Sequence, residues 1–305
     1  MTRFNLPIFQ AKVGGASSKS CDKSYLQYRF ELFEKYCMPS IINQTSQNFK
    51  WIVLFDANTP QEFKDRVWNL HANYQNLIPC FLNLEDYSSI SQEYQDLCHE
   101  YDTIVNKYYP SRSLDLDVDR ERVLRKVTPQ FVMDSIKKCS EEQPDYYITT
   151  RIDNDDAFHK DFVKTVQERF VQNPKHVVYD YVYSYKYILN EGVVYRYPLQ
   201  NGHFLTLAEP TDKLFQSILY WNHLYIDKFI EVEHIYQQPL QAELIHGNNV
   251  VNDFTDLSIR GMIYALLHFR MKNFGYSGTH ISYARTLRIL AFLIKKNLFA
   301  PKKDA

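Results

Sequence analysis

An α/β fold, a mainly parallel sheet flanked by helices, is predicted by three features of the sequence. Short apolar runs that suit buried strands alternate with amphipathic helical patterns. The strand-like run Tyr146 to Ile152 stops at the acidic string Asp153-Asn154-Asp155-Asp156. The length, 305 residues, fits one large α/β domain or a sheet domain of about 200 residues with a smaller annex. The expected division is a sheet domain over residues 1–200 and a largely helical region over 201–305, packed as one unit. Ligands of such sheets bind outside the carboxyl ends of the strands.

An extended segment near Phe9 to Val13 leads into the Gly14-Gly15-Ala16-Ser17-Ser18 loop. Ser24 and Gln27 form a capping box, and Leu26, Phe30, Phe33 and Cys37 then mark one helical face. Pro39 kinks or restarts that helix, leaving Ser40 to Gln44 as its last turns. Phe49 to Phe55 is an apolar run consistent with a buried strand that ends at Asp56. A turn at Ala57 to Pro60 opens another helix, Leu77 to Leu84 reads as a strand, and residues 120–139 read as a helix carrying Arg120, Arg122, Arg125 and Lys126. Phe158, Phe162, Val166 and Phe170 predict a helix packed back on the sheet. Tyr residues at alternate positions from Tyr179 to Tyr187 predict a strand, and Asn190-Glu191-Gly192 a hairpin turn into Val193 to Tyr197. The Tyr ladder reads as sheet packing rather than a sugar platform. A helix from Leu214 through Trp221 and a basic amphipathic helix from Ser282 complete the reading.

Composition removes several functions. Lys plus Arg (35) nearly equals Asp plus Glu (36), so the chain lacks the positive field that holds nucleic acid. Cys21, Cys37, Cys80, Cys98 and Cys139 are odd in number and widely spaced, which argues for reduced thiols in a cytoplasmic protein. No apolar run reaches the roughly 18 residues of a membrane span. Aromatic residues make up 15% of the chain, with 24 Tyr and 20 Phe, suiting both half-buried sheets and carbohydrate-stacking surfaces.

A diphosphate leaving group needs its charge neutralised, and a hard cation held by carboxylates does this. As the chain leaves the strand, Asp153 and Asp155 both turn toward the cleft above the sheet, Asn154 points away, and Asp156 adds a ligand or caps the next helix. The alternative is a plain acidic turn with a helix cap. Calcium-loop spacing fails, because Phe158 and Lys164 stand where Gly and Glu are required. Asp115-Leu116-Asp117-Val118-Asp119 fails the same test and reads as a solvated loop. Arg151, two residues before Asp153, either contacts a phosphate or pairs with the aspartates.

Three separated strings carry a family resemblance. Ser40-Ile41-Ile42-Asn43-Gln44-Thr45, then Phe49 to Asp56, then Ile152 to Asp156 resemble, in order and spacing, the inverting glycosyltransferases of the GT-A fold. Thr2-Arg3-Phe4-Asn5, Thr150 to Asp156 and His246-Gly247-Asn248-Asn249 look like the rhamnosyltransferases of bacterial polysaccharide synthesis. The resemblance implies a GT-A-like, Rossmann-like fold with a nucleotide-sugar-binding domain over 1–200 and an acceptor side over 201–305. It also implies a nucleotide-sugar donor, a glycan or lipid-linked saccharide acceptor, and a divalent metal, Mn2+ or Mg2+. Asp56 would lie near the base or ribose, Arg3, Arg151 and Asp153 would touch the donor, and Asp153, Asp155 and Asp156 would hold the metal, with His246, in front of Gly247, either a further ligand or a structural histidine. The family's Glu-Asp pair, which supplies the catalytic base, is missing. Glu209, in front of Pro210, is the nearest substitute, with Asp212 and His223 behind it; Glu209 could equally serve only to neutralise a helix N-terminus.

Two further expectations follow. GT-A enzymes have a strand before the segment resembled by Thr2 to Asn5, so either residues upstream of Met1 or Phe4 to Val13 would supply it. The C-terminal helix, with Arg285, Arg288, Lys295 and Lys296 beside Leu287, Leu290, Phe292 and Ile294, followed by Lys302 and Lys303, suits packing on the main domain or peripheral membrane contact. The competing functional reading is a non-catalytic GT-A-like module binding nucleotide sugar or glycan within a polysaccharide-assembly complex. Nucleotidyl transfer is weaker, since an early Gly-rich loop with Lys is missing.

Overall fold

The computed structural model describes residues 1–3, 21–83, 86, 91–108, 117–139, 144–246, 257–276 and 280–299. The extended segment and Gly14-Gly15 loop expected before residue 20, and Gly247-Asn248-Asn249, lie outside these residues. So do the side chains of Arg3, of the basic cluster at 120–126 and of Lys296.

In chain order the elements begin with β1 (Thr2–Arg3), α1 (Lys23–Leu32), a π-helical turn (Phe33–Cys37) and α2 (Met38–Ile42). They continue with β2 (Trp51–Asp56), α3 (Gln61–Asn73), β3 (Leu77–Leu82), α4 (Gln92–Tyr108) and α5 (Asp117–Cys139). Next come β4 (Tyr146–Thr150), β5 (Ala157–Phe158), α6 (Phe162–Gln172), β6 (Val177–Tyr181), β7 (Tyr183–Ile188), β8 (Val193–Pro198) and β9 (Thr206–Pro210). The last are β10 (Val232–Ile235), β11 (Gln241–Ile245), α7 (Ile259–His268) and α8 (Tyr283–Phe299).

The fold is mixed α/β, with parallel and antiparallel strands. In the order β1-β2-β3 all pairings are parallel. In the order β10-β6-β9-β4, β9 is antiparallel to both neighbours while β10 and β6 are parallel. Met1 joins these two sheets: its amino group donates to the Thr150 carbonyl (2.6 Å) and its carbonyl accepts from Ile152 N–H (3.0 Å). That is one parallel bridge opposite Arg151. The third sheet, β5-β11-β7-β8, is built on the expected hairpin, with Gly192 at φ 62° in its turn.

Several expectations are corrected. The N-cap of α1 is Asp22, whose carboxylate accepts from Tyr25 N–H and Ser24 Oγ, so Ser24 lies inside the helix. Pro39 leaves the helix continuous. A proline cannot donate and crowds the preceding turn; the π turn, in which Met38 N–H reaches back to the Phe33 carbonyl, absorbs the misfit. The strand expected at 177–187 divides at Val182, which bonds the Ile235 carbonyl on one side and Leu199 N–H on the other as the chain changes sheets. Tyr179 and Tyr181 thus fall in one core and Tyr185 and Tyr187 in another. Residues 211–225 form turns rather than a helix, and Asp117 begins a helix where a loop was expected.

The string Ser40 to Thr45 works as a dock. Ser40 Oγ accepts from Phe158 N–H (3.2 Å), Gln44 Oε1 from Val163 N–H (3.0 Å), and Gln44 Nε2 donates to the His159 carbonyl (2.9 Å). Thr45 N–H adds a bond to the Lys160 carbonyl (2.7 Å). These side chains fasten α2 to the segment that follows the acidic string.

Gly275 sits against this dock at φ 72°, and a Cβ there would meet the Pro39 carbonyl carbon at 2.6 Å. Gly275→Ala is expected to destabilise by about 2 kcal/mol or more, from left-handed strain plus a backbone collision. Gly202→Ala, whose Cβ would first meet a Leu199 side-chain carbon at 3.4 Å, serves as the mild control in thermal melts.

Candidate active site

The acidic string closes a turn. Asp156 N–H bonds the Asp153 carbonyl at 3.2 Å, with Asn154 and Asp155 in the two central positions that favour such residues. A β-turn brings its first and fourth residues together, so alternate-residue strand logic does not extend past Ile152. The structure accordingly sorts the aspartates differently from the sequence reading.

Asp155 belongs to a buried network rather than to the Asp153 group. Its Oδ2 accepts from Arg29 Nη1 (2.9 Å) and contacts His246 Nε2 (2.9 Å). His246 Nδ1 in turn meets the Tyr28 hydroxyl at 2.8 Å. Both ring nitrogens of His246 are therefore engaged, an arrangement satisfied by a tautomer with the proton on Nε2. Burial would raise the Asp155 carboxyl, but the charge of Arg29 and the His246 contact outweigh it and hold Asp155 down at about 2. α1 presents Arg29 and Tyr28 to this network, and His246 follows directly on β11.

Asp153, Asp156 and His203 each offer a ligand atom, all within 4.8 Å of one another. The Asp153 side chain is 43% exposed. Asp156 is buried, its Oδ1 accepting from Leu244 N–H (2.9 Å) and its Oδ2 lying 3.2 Å from His203 Nε2. Burial first, then the nearby charge of Asp155, pushes Asp156 up to about 8 in spite of the His203 contact. Burial works against the charged form of His203, yet the hydrogen bond and charge of Asp156 prevail and raise it. The pair is thus held together by a proton near neutrality. His203 was missed in the sequence; the only hint is the Asn201-Gly202 turn before it, with Asn201 at φ 51°. Register explains its position: β4 and β9 pair from Tyr146↔Pro210 to Thr150↔Thr206, and Arg151 N–H continues the ladder to the Leu205 carbonyl (3.3 Å). Continuing to residue 203 arrives opposite Asp153.

Arg151 is buried with its Nε 3.9 Å from Asp153 Oδ1. Asp56 ends β2 on the same edge as the turn, and its Oδ1 accepts from Asn58 N–H (2.8 Å). The backbone of Arg3 pairs with Leu54, next to Asp56. The structure does not bring Glu209 to this group. It pairs with Tyr147, six residues before Asp153 and so roughly 20 Å away along the strand. Both its oxygens are taken, by Gln216 N–H (2.9 Å) and Ser217 N–H (2.8 Å). Asp212 is exposed in the turn after β9, and His223 lies in the turns that follow.

Glu209 therefore clamps the 216–217 turn. Its carboxyl is pushed by burial from 4.5 up to about 7, against the two N–H bonds. A raised folded-state value means that the proton stabilises the fold: the contribution is full below about pH 4.5 and is lost as pH rises through about 7. The stability advantage of the wild type over Glu209→Gln is expected to shrink by on the order of 2 kcal/mol between pH 5 and pH 8. Paired thermal melts at the two pH values check it.

No curated protein matches the chain. The family model described as "Putative rhamnosyl transferase" matches residues 1–106, about a third of the length. That stretch includes Thr2-Arg3-Phe4-Asn5, the Ser40 to Thr45 dock and the strand ending at Asp56, whereas the acidic turn, His203 and His246 lie beyond it. Over residues 1–106 the chain is similar to the putative rhamnosyl transferase family, as the resemblance carried by those strings implies.

Proposed function

We propose that this chain is a metal-dependent glycosyltransferase. It moves a sugar, rhamnose by the family match, from a nucleotide-sugar donor to a glycan or lipid-linked acceptor in cell-surface polysaccharide synthesis, with inversion. The observation that carries the reading is the turn at the end of β4 that gathers Asp153, Asp156 and His203 with Arg151 beside them. The strands β3, β2, β1, β4, β6 and β10 share one direction, which supports a GT-A-like sheet with its site at the carboxyl edge.

Two carboxylates and an imidazole are a donor set that Mn2+ or Mg2+ accepts. A buried aspartate pushed up to about 8 beside other carboxylates is a place where a dication relieves repulsion. Asp153, Asp156 and His203 would hold the ion, which when bound neutralises charge developing on the leaving diphosphate. Arg151 Nε has no hydrogen-bond partner in the structure and is buried, so a phosphate oxygen would satisfy it. Asp56 would take the ribose or base, and Asp155 positions Arg29 along one wall. Inverting transfer needs a carboxylate beside the acceptor hydroxyl, and Glu209, clamped at the far end of β9 by Gln216 and Ser217 N–H, is not placed to serve as that base. Its displacement is the one observation favouring a non-catalytic nucleotide-sugar binder, and metal-dependent hydrolysis of a nucleotide sugar separates the two readings.

Asp153→Asn should leave the melting temperature nearly unchanged and abolish the stabilisation that a nucleoside diphosphate with Mn2+ gives the wild type. Asp155→Asn should instead lower the melting temperature of the free protein, by about 3 kcal/mol of stability, because it leaves Arg29 buried without its carboxylate. Equal losses of metal-dependent ligand stabilisation without any effect of Asp155→Asn on the free protein would refute the division of roles.

The C-terminal helix supports a peripheral membrane contact at the cytoplasmic face. Among the described residues no helix is long and apolar enough to cross a membrane. α8 buries Thr286 and Leu290 but leaves Tyr283, Leu287, Phe292 and Ile294 exposed beside Arg285 and Arg288, with Ile263 and Leu267 of α7 also exposed. Cosedimentation with vesicles containing anionic lipid is expected, and Leu287→Glu with Phe292→Glu should weaken it at least tenfold.

A further inference from the structure

A line of rings and polar side chains crosses the surface between α7 and the turn that carries His203. It begins with the close packing of α7 on β8. A Cβ on Gly261 would meet the Arg196 carbonyl oxygen at 2.1 Å, so glycine is what lets the helix lie against the strand there. Tyr264, one turn further along α7, thereby reaches the Arg196 side chain. Its ring centroid lies 4.0 Å from Arg196 Cζ, and that of Tyr183 lies 4.3 Å from the same atom. Tyr183 and Arg196 share one face of the β7–β8 hairpin, where Tyr183 pairs with Pro198 and Tyr185 with Arg196.

The line continues at both ends. His268 packs on the Tyr264 ring with centroids 4.3 Å apart. Tyr236, 60% exposed, meets the Tyr183 ring edge-on at 6.2 Å, and its hydroxyl accepts from Gln200 Nε2. Asp180 fastens this end: its Oδ2 accepts from Asn201 N–H and contacts His234 Nδ1, both at 2.8 Å. Gln200 stands three residues before His203, so the two lie within about 11 Å of each other. At the opposite end the exposed Ile263 and Leu267 flank Tyr264, on the surface assigned above to membrane contact. The line thus connects that surface with the metal group.

Its chemistry suits a sugar. Ring faces take the apolar C–H side of a pyranose, while hydroxyl and amide edges bond its hydroxyls. Arg196 adds a charge. Its guanidinium lies against two rings and makes no hydrogen bond or ion pair with any described residue. A fork held flat and left unpaired matches a carboxylate or a phosphate.

We propose that Tyr264, Arg196, Tyr183 and Tyr236 form a binding track for a saccharide chain that carries an acidic group, with the acid at Arg196 and the sugars extending over Tyr236 toward His203. The choice of a saccharide over a peptide rests on the glycosyltransferase reading. The acidic group is the phosphate of a lipid-linked saccharide or the carboxylate of a uronic acid, which the same fork reads.

Saturation-transfer NMR on the full chain tests this with three probes: maltotriose, maltotriose 1-phosphate and trigalacturonate. At least one acidic probe should bind tenfold or more tighter than maltotriose, with the strongest saturation on ring C–H protons. A lead for the phosphate identifies the lipid-linked source, and a lead for the uronate identifies the other. Arg196→Lys, which keeps the charge and loses the fork, should weaken binding at least fivefold. Tyr236→Ala should do the same, and its exposed position keeps the test decisive if Arg196→Lys disturbs folding. Both variants should retain the stabilisation given by a nucleoside diphosphate with Mn2+. Binding of no probe, equal binding of acidic and neutral probes, or full binding by both variants would overturn the track. Probes held through Arg196 by a wild type that gains nothing from the nucleotide and Mn2+ would keep the track and remove the glycosyltransferase reading.

Discussion

The bond from Asp156 N–H to the Asp153 carbonyl decides how the rest of the site is distributed. By folding the acidic string into a turn at the end of β4, it sends Asp155 toward α1 and leaves Asp153 beside Asp156. A straight continuation of the strand would have presented Asp153 and Asp155 together and buried no carboxylate against Arg29. The turn therefore divides like charges between two environments, one neutralised by a guanidinium and one sharing a proton with an imidazole. Such a division costs desolvation, and it holds only because each aspartate has partners supplied by other elements.

Those partners come from far apart in sequence. Arg29 and Tyr28 arrive on α1, His246 after β11, His203 from the approach to β9, and Leu244 N–H from β11 itself. The Ser40 to Thr45 dock is what makes α1 and α2 reliable neighbours of the turn, because its side chains bond backbone on 158–163. A string that carries family resemblance need not touch substrate: here it holds the scaffold against the strand end.

Much of the fold was legible because local pattern and burial agree. The apolar run ending at Asp56, the strand ending before Asp153 and the hairpin around Gly192 all appear where periodicity puts them. The failures have physical causes. Strand alternation was carried one turn too far at Asp155. Pro39 predicts a kink or restart because an α-helix cannot accept it, while a π turn can. Phe158 fits helical spacing yet lies in β5, since pairing with Gln241 outcompetes propensity there. Sequence gives no distance along an antiparallel strand, so Glu209 reads as a neighbour of a cluster that its pairing with Tyr147 keeps it from reaching. His203 was invisible for the reciprocal reason: only the register of β9 against β4 delivers it.

The π-helical turn at Phe33–Cys37 has a further consequence for how this chain tolerates change in length. A π turn is an α-helix with one residue more than its hydrogen bonds require, so the faces of α1 and α2 are offset by about 100° relative to an uninterrupted helix. Removing any single residue between Leu32 and Met38 would restore regular winding and also rotate Tyr28 and Arg29 away from Asp155, while Ser40 and Gln44 stayed docked. The two ends of one helix would then be in frame with each other and out of frame with the cleft. Single deletions here should be far less tolerated than substitutions, and a deletion compensated by an insertion before Pro39 should be the form in which natural variation in this segment survives.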